Sequence, residues 1–121
     1  MMLRGIRGAT TVSQNTREDI LDRTSELLSS IVNANSINRD DVASIIFSCT
    51  RDLDAVFPAE AARTDGWTKV ALECFSEMYV ENGLKLCIRI LMHVNTEKSN
   101  VQLNHVYLHG AMSLRTDLVN E

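Results

Sequence analysis

The fold of this chain is decided by residues 86–94, which read Leu86-Cys87-Ile88-Arg89-Ile90-Leu91-Met92-His93-Val94. Every even-numbered residue of this run is apolar, whereas the odd-numbered residues include Arg89 and His93. A two-residue alternation of this kind is typical of a β-strand with one face against a core. We therefore predict a long strand over residues 84–94, with Arg89 on the face that points away from the core.

A second arginine lies inside another predicted strand, over residues 2–12. Alternation places Arg7 on one face and Ile6 on the other. Arg7 and Arg89 thus both stand among apolar or small residues. A guanidinium held in such surroundings presents a rigid fork of N–H donors that suits a carboxylate or a phosphate. The sequence therefore predicts a site for a small anion, although the net charge of the chain is −4.

One amphipathic helix is predicted over residues 16–32, because apolar side chains recur there at the spacing of a helical face. Asn15 or Thr16 is expected to cap its start. The polar residues 33–38 are expected to end it. This helix is interpreted as core packing.

The remaining elements are shorter. Residues 42–49 are predicted to form a central strand buried on both faces, and residues 69–75 the next strand. A short helix is expected after Pro58, which suits a first helical turn. Turns are predicted at residues 81–83 and 95–100. The pattern over residues 101–114 does not separate strand from helix.

Interleaved strands and helices without regular βαβ spacing favour an α+β fold, with helices packed on a mixed β-sheet. The 121 residues suit a single domain, 1–121. The predicted strands offer more apolar surface than one long and one short helix can cover. Self-association is therefore expected.

Composition weighs against several classes of protein. The acidic charge and the lack of a Lys/Arg cluster with interleaved aromatics weigh against nucleic-acid binding. No secretory signal is expected, and no apolar stretch approaches the ~20 residues that cross a membrane. Cys49, Cys74 and Cys87 are odd in number and lack metal-ligand spacing, which favours reduced thiols in the cytoplasm. Phosphate-loop, metalloprotease and nucleophile-elbow motifs are also missing.

Five ordered segments carry a family resemblance. They are Arg4-Gly5-Ile6-Arg7-Gly8-Ala9-Thr10-Thr11-Val12, Phe57-Pro58-Ala59-Glu60-Ala61-Ala62-Arg63, Glu77-Met78, Cys87-Ile88-Arg89, and His105-Val106-Tyr107-Leu108 followed by Leu114-Arg115. With these segments the chain resembles the monofunctional chorismate mutases of the AroH class. The resemblance implies an isomerase that rearranges chorismate to prephenate in phenylalanine and tyrosine biosynthesis. It also implies a homotrimer with an active site at each subunit interface, and no metal or cofactor.

The resemblance further implies a role for each matching residue. Arg89 would donate to the ether oxygen as its bond to carbon breaks, Arg7 would hold a carboxylate, and Glu77 would accept from the ring hydroxyl. The reaction then needs only conformational restraint and electrostatic stabilisation. The implied substrate-binding residues are Tyr107, Cys74, Phe57, Ala59, Arg63, Leu72, Leu114 and Arg115.

Some positions depart from the family pattern. Glu60 stands where some relatives carry lysine, and Glu73 places an acid beside Cys74. Thr116 replaces a proline, and the connection over residues 63–67 is one residue shorter than in some relatives. Each of these changes bears on how well a dianion would bind.

Other interpretations stay open at the level of sequence. Each of three site residues, considered alone, also has a purely structural interpretation. Glu77 is then a surface carboxylate, Tyr107 a core tyrosine and Cys74 a small buried hydrophobe. A small trimeric enamine or imine deaminase would also hold a carboxylate with an arginine. A non-catalytic dicarboxylate-binding module would need the arginines but not Glu77. Loss of Glu77 should therefore spare binding in such a module and damage turnover in a mutase.

Overall fold

Strand β4 (Cys87–Thr96) lies at the centre of a five-stranded sheet in the computed structural model, which describes residues 1–115. Thr116, one of the departures above, lies outside the described residues. The other strands are β1 (Met2–Thr11), β2 (Val42–Cys49), β3 (Ala71–Ser76) and β5 (Val106–Tyr107). The sheet order is β3-β2-β4-β1-β5. Strand β4 is antiparallel to both neighbours, whereas β2–β3 and β1–β5 are parallel pairs. The predicted α+β domain with a mixed sheet is confirmed.

Helix α1 (Arg17–Asn35) covers one face of this sheet. Its start is capped by Thr16, whose Oγ1 accepts from the Asp19 amide at 3.2 Å. Its apolar stripe packs on the even-numbered side chains of β1 and β4, as the alternation predicts. Gly8 lets the helix approach, since a Cβ there would lie 2.6 Å from Ile31 Cδ1. The buried side of the helix comprises Ile20, Thr24, Leu27, Leu28, Ile31 and Asn35.

Helix α2 (Ala59–Thr64) follows Pro58 and buries its alanines beside α1 and the edge strand β3. It ends where Gly66 adopts a φ of 93°, in the left-handed region that favours glycine. Short 3-10 turns occupy Arg39–Asp41, Asn100–Gln102 and His109–Arg115. Residues 101–114 are therefore neither a long strand nor an α-helix. Neither of the helices described has the length and apolar character needed to cross a membrane.

Several strand ends differ from the prediction by one or two residues, and two strand predictions differ from the structure in larger ways. Strand β4 begins at Cys87 and not at residue 84, because Leu86 has a φ of 51° and the Asp52 carboxylate accepts its amide N–H. Strand β2 is internal but not central, and it is not buried on both faces. Ile45 and Phe47 are buried against the helices, whereas Ser44, Ile46 and Ser48 remain partly exposed on the other side.

The second face of the sheet lies open in the single chain. Arg7 and Arg89 point to this side, opposite the face that α1 covers. At its margins, Leu3 is 55% and Phe75 53% exposed. Only one end of this face is covered within the described residues. There the turn His109–Arg115 packs on Ala9, Cys87 and Tyr107.

Candidate active site

Arg89 and Glu77 form an ion pair at the edge of the open face. The Nε of Arg89 donates to Glu77 Oε1, and both side chains are partly buried. Glu77 follows β3 directly, and its backbone amide donates to the Cys49 carbonyl at 2.8 Å. The end of the β2–β3 pair therefore fixes Glu77. Among residues 1–115, no hydrogen-bond acceptor occupies the two terminal Nη groups of Arg89.

Arg7, Arg89 and Tyr107 line one concavity of about 240 Å³ on the same face. The β1–β4 register pairs Ala9 with Arg89 and Arg7 with Leu91, which makes the two arginines diagonal neighbours. Strand β5 brings in Tyr107, which pairs with Ala9 and is 8% exposed. The sheet thus brings together three of the residues predicted to bind an anion.

His105 fixes the backbone beside this concavity, a role that the sequence did not suggest. The Arg7 amide donates to His105 Nδ1 at 2.9 Å. Burial, and to a smaller extent the charge of Arg7, lower the pKa of His105. A neutral imidazole can accept this hydrogen bond, whereas an imidazolium cannot. The only available signal was its position two residues before Tyr107.

A larger cavity of about 860 Å³ opens on the other side of Arg89 and Glu77. Its walls are the end of β2 and the loop from Glu77 to Lys85. Across it, the Arg51 guanidinium lies 3.5 Å from the centre of the Tyr79 ring. Sequence reasoning missed both residues, because 27 residues separate them and neither belongs to a motif.

The remaining predicted residues form a second group on the helix-covered side of the sheet. Leu72 pairs with Ile45 and Cys74 with Phe47, so both side chains face the core. Cys74 also lines a cavity of about 650 Å³ with Phe57, which is 72% exposed. Within one chain this group does not meet Arg7 and Arg89. The group comprises Phe57, Ala59, Arg63, Leu72 and Cys74.

Burial dominates the electrostatics of the cysteines. It raises the pKa of Cys74, although a hydrogen bond from the Ala59 backbone and the charge of Arg63 oppose it. Burial also raises the pKa of Cys87 to about 11. All three cysteines are free thiols. In the part of the chain that the structure describes, no cluster of three His, Cys, Asp or Glu side chains could hold a metal ion.

The positions that depart from the family pattern have local explanations. Glu60 is paired with Arg17, which lowers the pKa of the Glu60 carboxyl mainly through its hydrogen bond. Glu73 is exposed and pairs with Ile46 in the sheet, so it faces away from Cys74. At the end of the described chain, Leu114 packs beside Tyr107 and Arg115 is exposed.

Comparison with known proteins gives consistent matches over nearly the whole chain. Residues 3–118 match a family model described as chorismate mutase type I. Chorismate mutase AroH from Bacillus subtilis (strain 168) is 49% identical over 119 residues, which cover 98% of this chain and 94% of that protein. Chorismate mutase AroH from Thermus thermophilus is 44% identical over 118 residues, with 97% of each chain covered. A solved structure of a chorismate mutase from Clostridium thermocellum has 51% identity and a TM-score of 0.90. It covers 91% of this chain and 98% of that one.

Proposed function

Because this chain belongs to the chorismate mutase type I family, we propose that the anion site around Arg7 and Arg89 is where it acts. The chain is a chorismate mutase, an isomerase of aromatic amino acid biosynthesis. Its substrate, chorismate, is a dianion that rearranges to prephenate by breaking one carbon–oxygen bond and forming one carbon–carbon bond. The deaminase and the binding module are not favoured.

The observation that carries the proposed site is the convergence of two guanidinium groups with Tyr107 and Glu77. In this proposal, Glu77 holds Arg89 through Nε and leaves the two Nη groups for the ligand. One Nη group would donate to the ether oxygen as negative charge develops there. Arg7 and the Tyr107 hydroxyl would bind a carboxylate. Glu77 would also accept a hydrogen bond from the ring hydroxyl.

These groups can supply free energy that lowers the activation barrier of the rearrangement. A rate acceleration of ~10⁶ corresponds to ~8 kcal/mol of barrier reduction. One well-placed donor to a developing oxyanion supplies roughly 3–4 kcal/mol. The rest would come from holding chorismate in a compact conformer with its reacting carbons close together. No nucleophile takes part in this scheme.

We further propose that the protein is a cytoplasmic homotrimer and that neighbouring subunits complete each site. The open face of the sheet exposes apolar side chains such as Leu3 and Phe75, which an interface would cover. The group around Phe57 and Cys74 would then reach the Arg7 and Arg89 of a neighbouring subunit. The free thiols fit a reducing compartment.

The test of the site is the ultraviolet absorbance of chorismate mixed with purified protein, with an Arg89→Ala variant as control. We expect wild type to consume chorismate and form prephenate, and the variant to be nearly inactive. An active Arg89→Ala variant would remove Arg89 from the chemistry. Size-exclusion chromatography with light scattering measures the mass of the assembly and so tests the trimer. A monomeric active enzyme would contradict it.

A further inference from the structure

The cavity of about 860 Å³ beside Arg89 contains an arginine to which the proposed mechanism gives no role. Arg51 lies just after β2, and its guanidinium stacks on the Tyr79 ring at 3.5 Å from the ring centre. Stacking occupies a face of the guanidinium plane and leaves the N–H groups at its edge available. The stack therefore presents a set of donors at the wall of the cavity.

The acidic groups of this cavity are already engaged. Glu77 is bound to Arg89. The Asp52 carboxylate accepts hydrogen bonds from the Leu86 amide, at 3.0 and 3.3 Å, and from the Thr50 hydroxyl. Neither carboxylate forms an ion pair with Arg51.

Two of the three cations that line the cavity, by contrast, have no ion-pair partner. Within residues 1–115, neither Arg51 nor Lys85 forms an ion pair. Both line the same cavity as Arg89. The wall thus carries three cations against two carboxylates, Asp52 and Glu77. Its excess positive charge favours an anionic ligand.

We propose that Arg51 is a further substrate-binding residue, which attracts and contacts a carboxylate of the dianionic substrate, and that Tyr79 positions it. This inference rests on the proposed function, because the substrate's two negative charges are what Arg51 would recognise. Arg51 acts on binding and not on bond breaking. Its effect therefore falls on KM and on the salt dependence of kcat/KM.

A structural role alone does not account for the pair. Both side chains are exposed, and Tyr79 retains 58% of its accessible surface. Met78 and Val80, which flank Tyr79, are also exposed at 80% and 58%. The stack thus lies at the mouth of the cavity and not in a packed interior. Removing it should leave the fold intact.

The chain offers a matched control for this arginine. Arg39 lies 4.3 Å from the centre of the Trp67 ring, in a different cavity beside α1. Arg39→Gln removes the same charge and the same type of stacking contact. It does so away from Arg89 and Glu77.

The experiment compares wild type, Arg51→Gln, Tyr79→Leu and Arg39→Gln in chorismate turnover at several salt concentrations. For Arg51→Gln we expect KM to rise about five-fold, equivalent to about 1 kcal/mol, with kcat nearly unchanged. We also expect its kcat/KM to depend less on salt. Tyr79→Leu should change KM in the same direction but less, and Arg39→Gln should match wild type.

The outcomes separate this inference from the proposed function. Wild type without turnover of chorismate would overturn the function. An active wild type with an unchanged KM and salt dependence in Arg51→Gln would overturn only the inference. A loss of kcat at constant KM in Arg51→Gln would also overturn it, because Arg51 would then act on the chemical step.

Discussion

Arg17 and Glu60 form a two-pronged ion pair that joins the start of α1 to the first turn of α2, with N–O distances of 2.6 and 3.0 Å. Glu60 stands next to Ala59 in the group proposed to reach the substrate of a neighbouring subunit. An unpaired carboxylate there would repel a dianion. The guanidinium of Arg17 offsets this charge, so we expect Glu60 to impair binding less than an unpaired acid would.

Replacing Arg17 with alanine should therefore weaken substrate binding without damaging the chemical step. We expect KM for chorismate to rise about two- to five-fold, with kcat little changed, because Glu60 loses its partner. Steady-state kinetics measure this. The double variant Arg17→Ala/Glu60→Ala should return KM close to the wild-type value. A double variant as poor as the single one would show that Arg17 acts independently of Glu60.

Arg89→Lys should abolish most of the turnover while the protein stays folded. Lysine keeps the positive charge but cannot bind Glu77 and still present two further donors to the substrate. We expect kcat to fall at least about 100-fold. The melting temperature should stay near that of wild type. Arg4→Lys, on β1 but bonded to the Lys98 carbonyl, serves as the control. Near-normal kcat in Arg89→Lys would contradict the role proposed for Arg89.

His105 should position Arg7 through its acceptor nitrogen. His105→Ala removes the acceptor of the Arg7 amide, so we expect a higher KM. His105→Asn keeps an acceptor near the place of Nδ1 and should restore most of the affinity. If alanine and asparagine are equally impaired, the hydrogen bond is not what matters at this position.

The same histidine predicts a pH dependence of stability. The folded state lowers the pKa of His105 below its ordinary value of 6.5. As pH falls below that value, the unfolded chain binds the proton first, so the free energy of unfolding decreases. The decrease continues until pH passes the folded-state pKa. Urea unfolding between pH 7 and pH 5 measures the slope, and His105→Asn should show a shallower one. An identical slope in that variant would mean that other groups dominate.

Gly8→Ala should destabilise the fold by about 1–3 kcal/mol, the usual result of overpacking a core. The new methyl group would lie 2.6 Å from Ile31 Cδ1. Thermal or urea unfolding measures the loss. Ile31→Val removes that Cδ1 and should recover part of the stability when it is combined with Gly8→Ala. No recovery would indicate that Leu27, whose Cδ1 lies 3.1 Å from the added methyl, is the main obstacle.

Alternation of side chains made the sheet and the arrangement of its arginines predictable. The register of β1 on β4 makes Arg7 and Arg89 neighbours on one face, and each strand's own pattern already assigned its arginine to that face. Helix α1 was equally predictable, because its apolar stripe is long and its capping residue, Thr16, directly precedes it. Local patterns of this kind depend only on residues within a few positions of each other.

Contacts between distant residues set the features that the sequence did not reveal. Asp52 ends β4 early by binding the Leu86 amide. His105 accepts from Arg7 across 98 positions of the chain, and Arg17 meets Glu60 across 43. None of these residues has a spacing that indicates its partner. The division of the site between two faces also depends on how β3 aligns with β2, which no pattern within either strand specifies.

That division has a genetic consequence in the proposed trimer. A chain with an inactivating substitution at Arg89 still carries an intact group around Phe57 and Cys74. A chain with an inactivating substitution at Phe57 still carries an intact Arg89. A three-membered ring that contains both kinds of chain has one junction at which two sound halves meet. Two inactive alleles expressed together would therefore complement each other, with about one working site in every mixed ring. The phenotype would then depend on the combination of chains at each subunit interface and not on either chain alone.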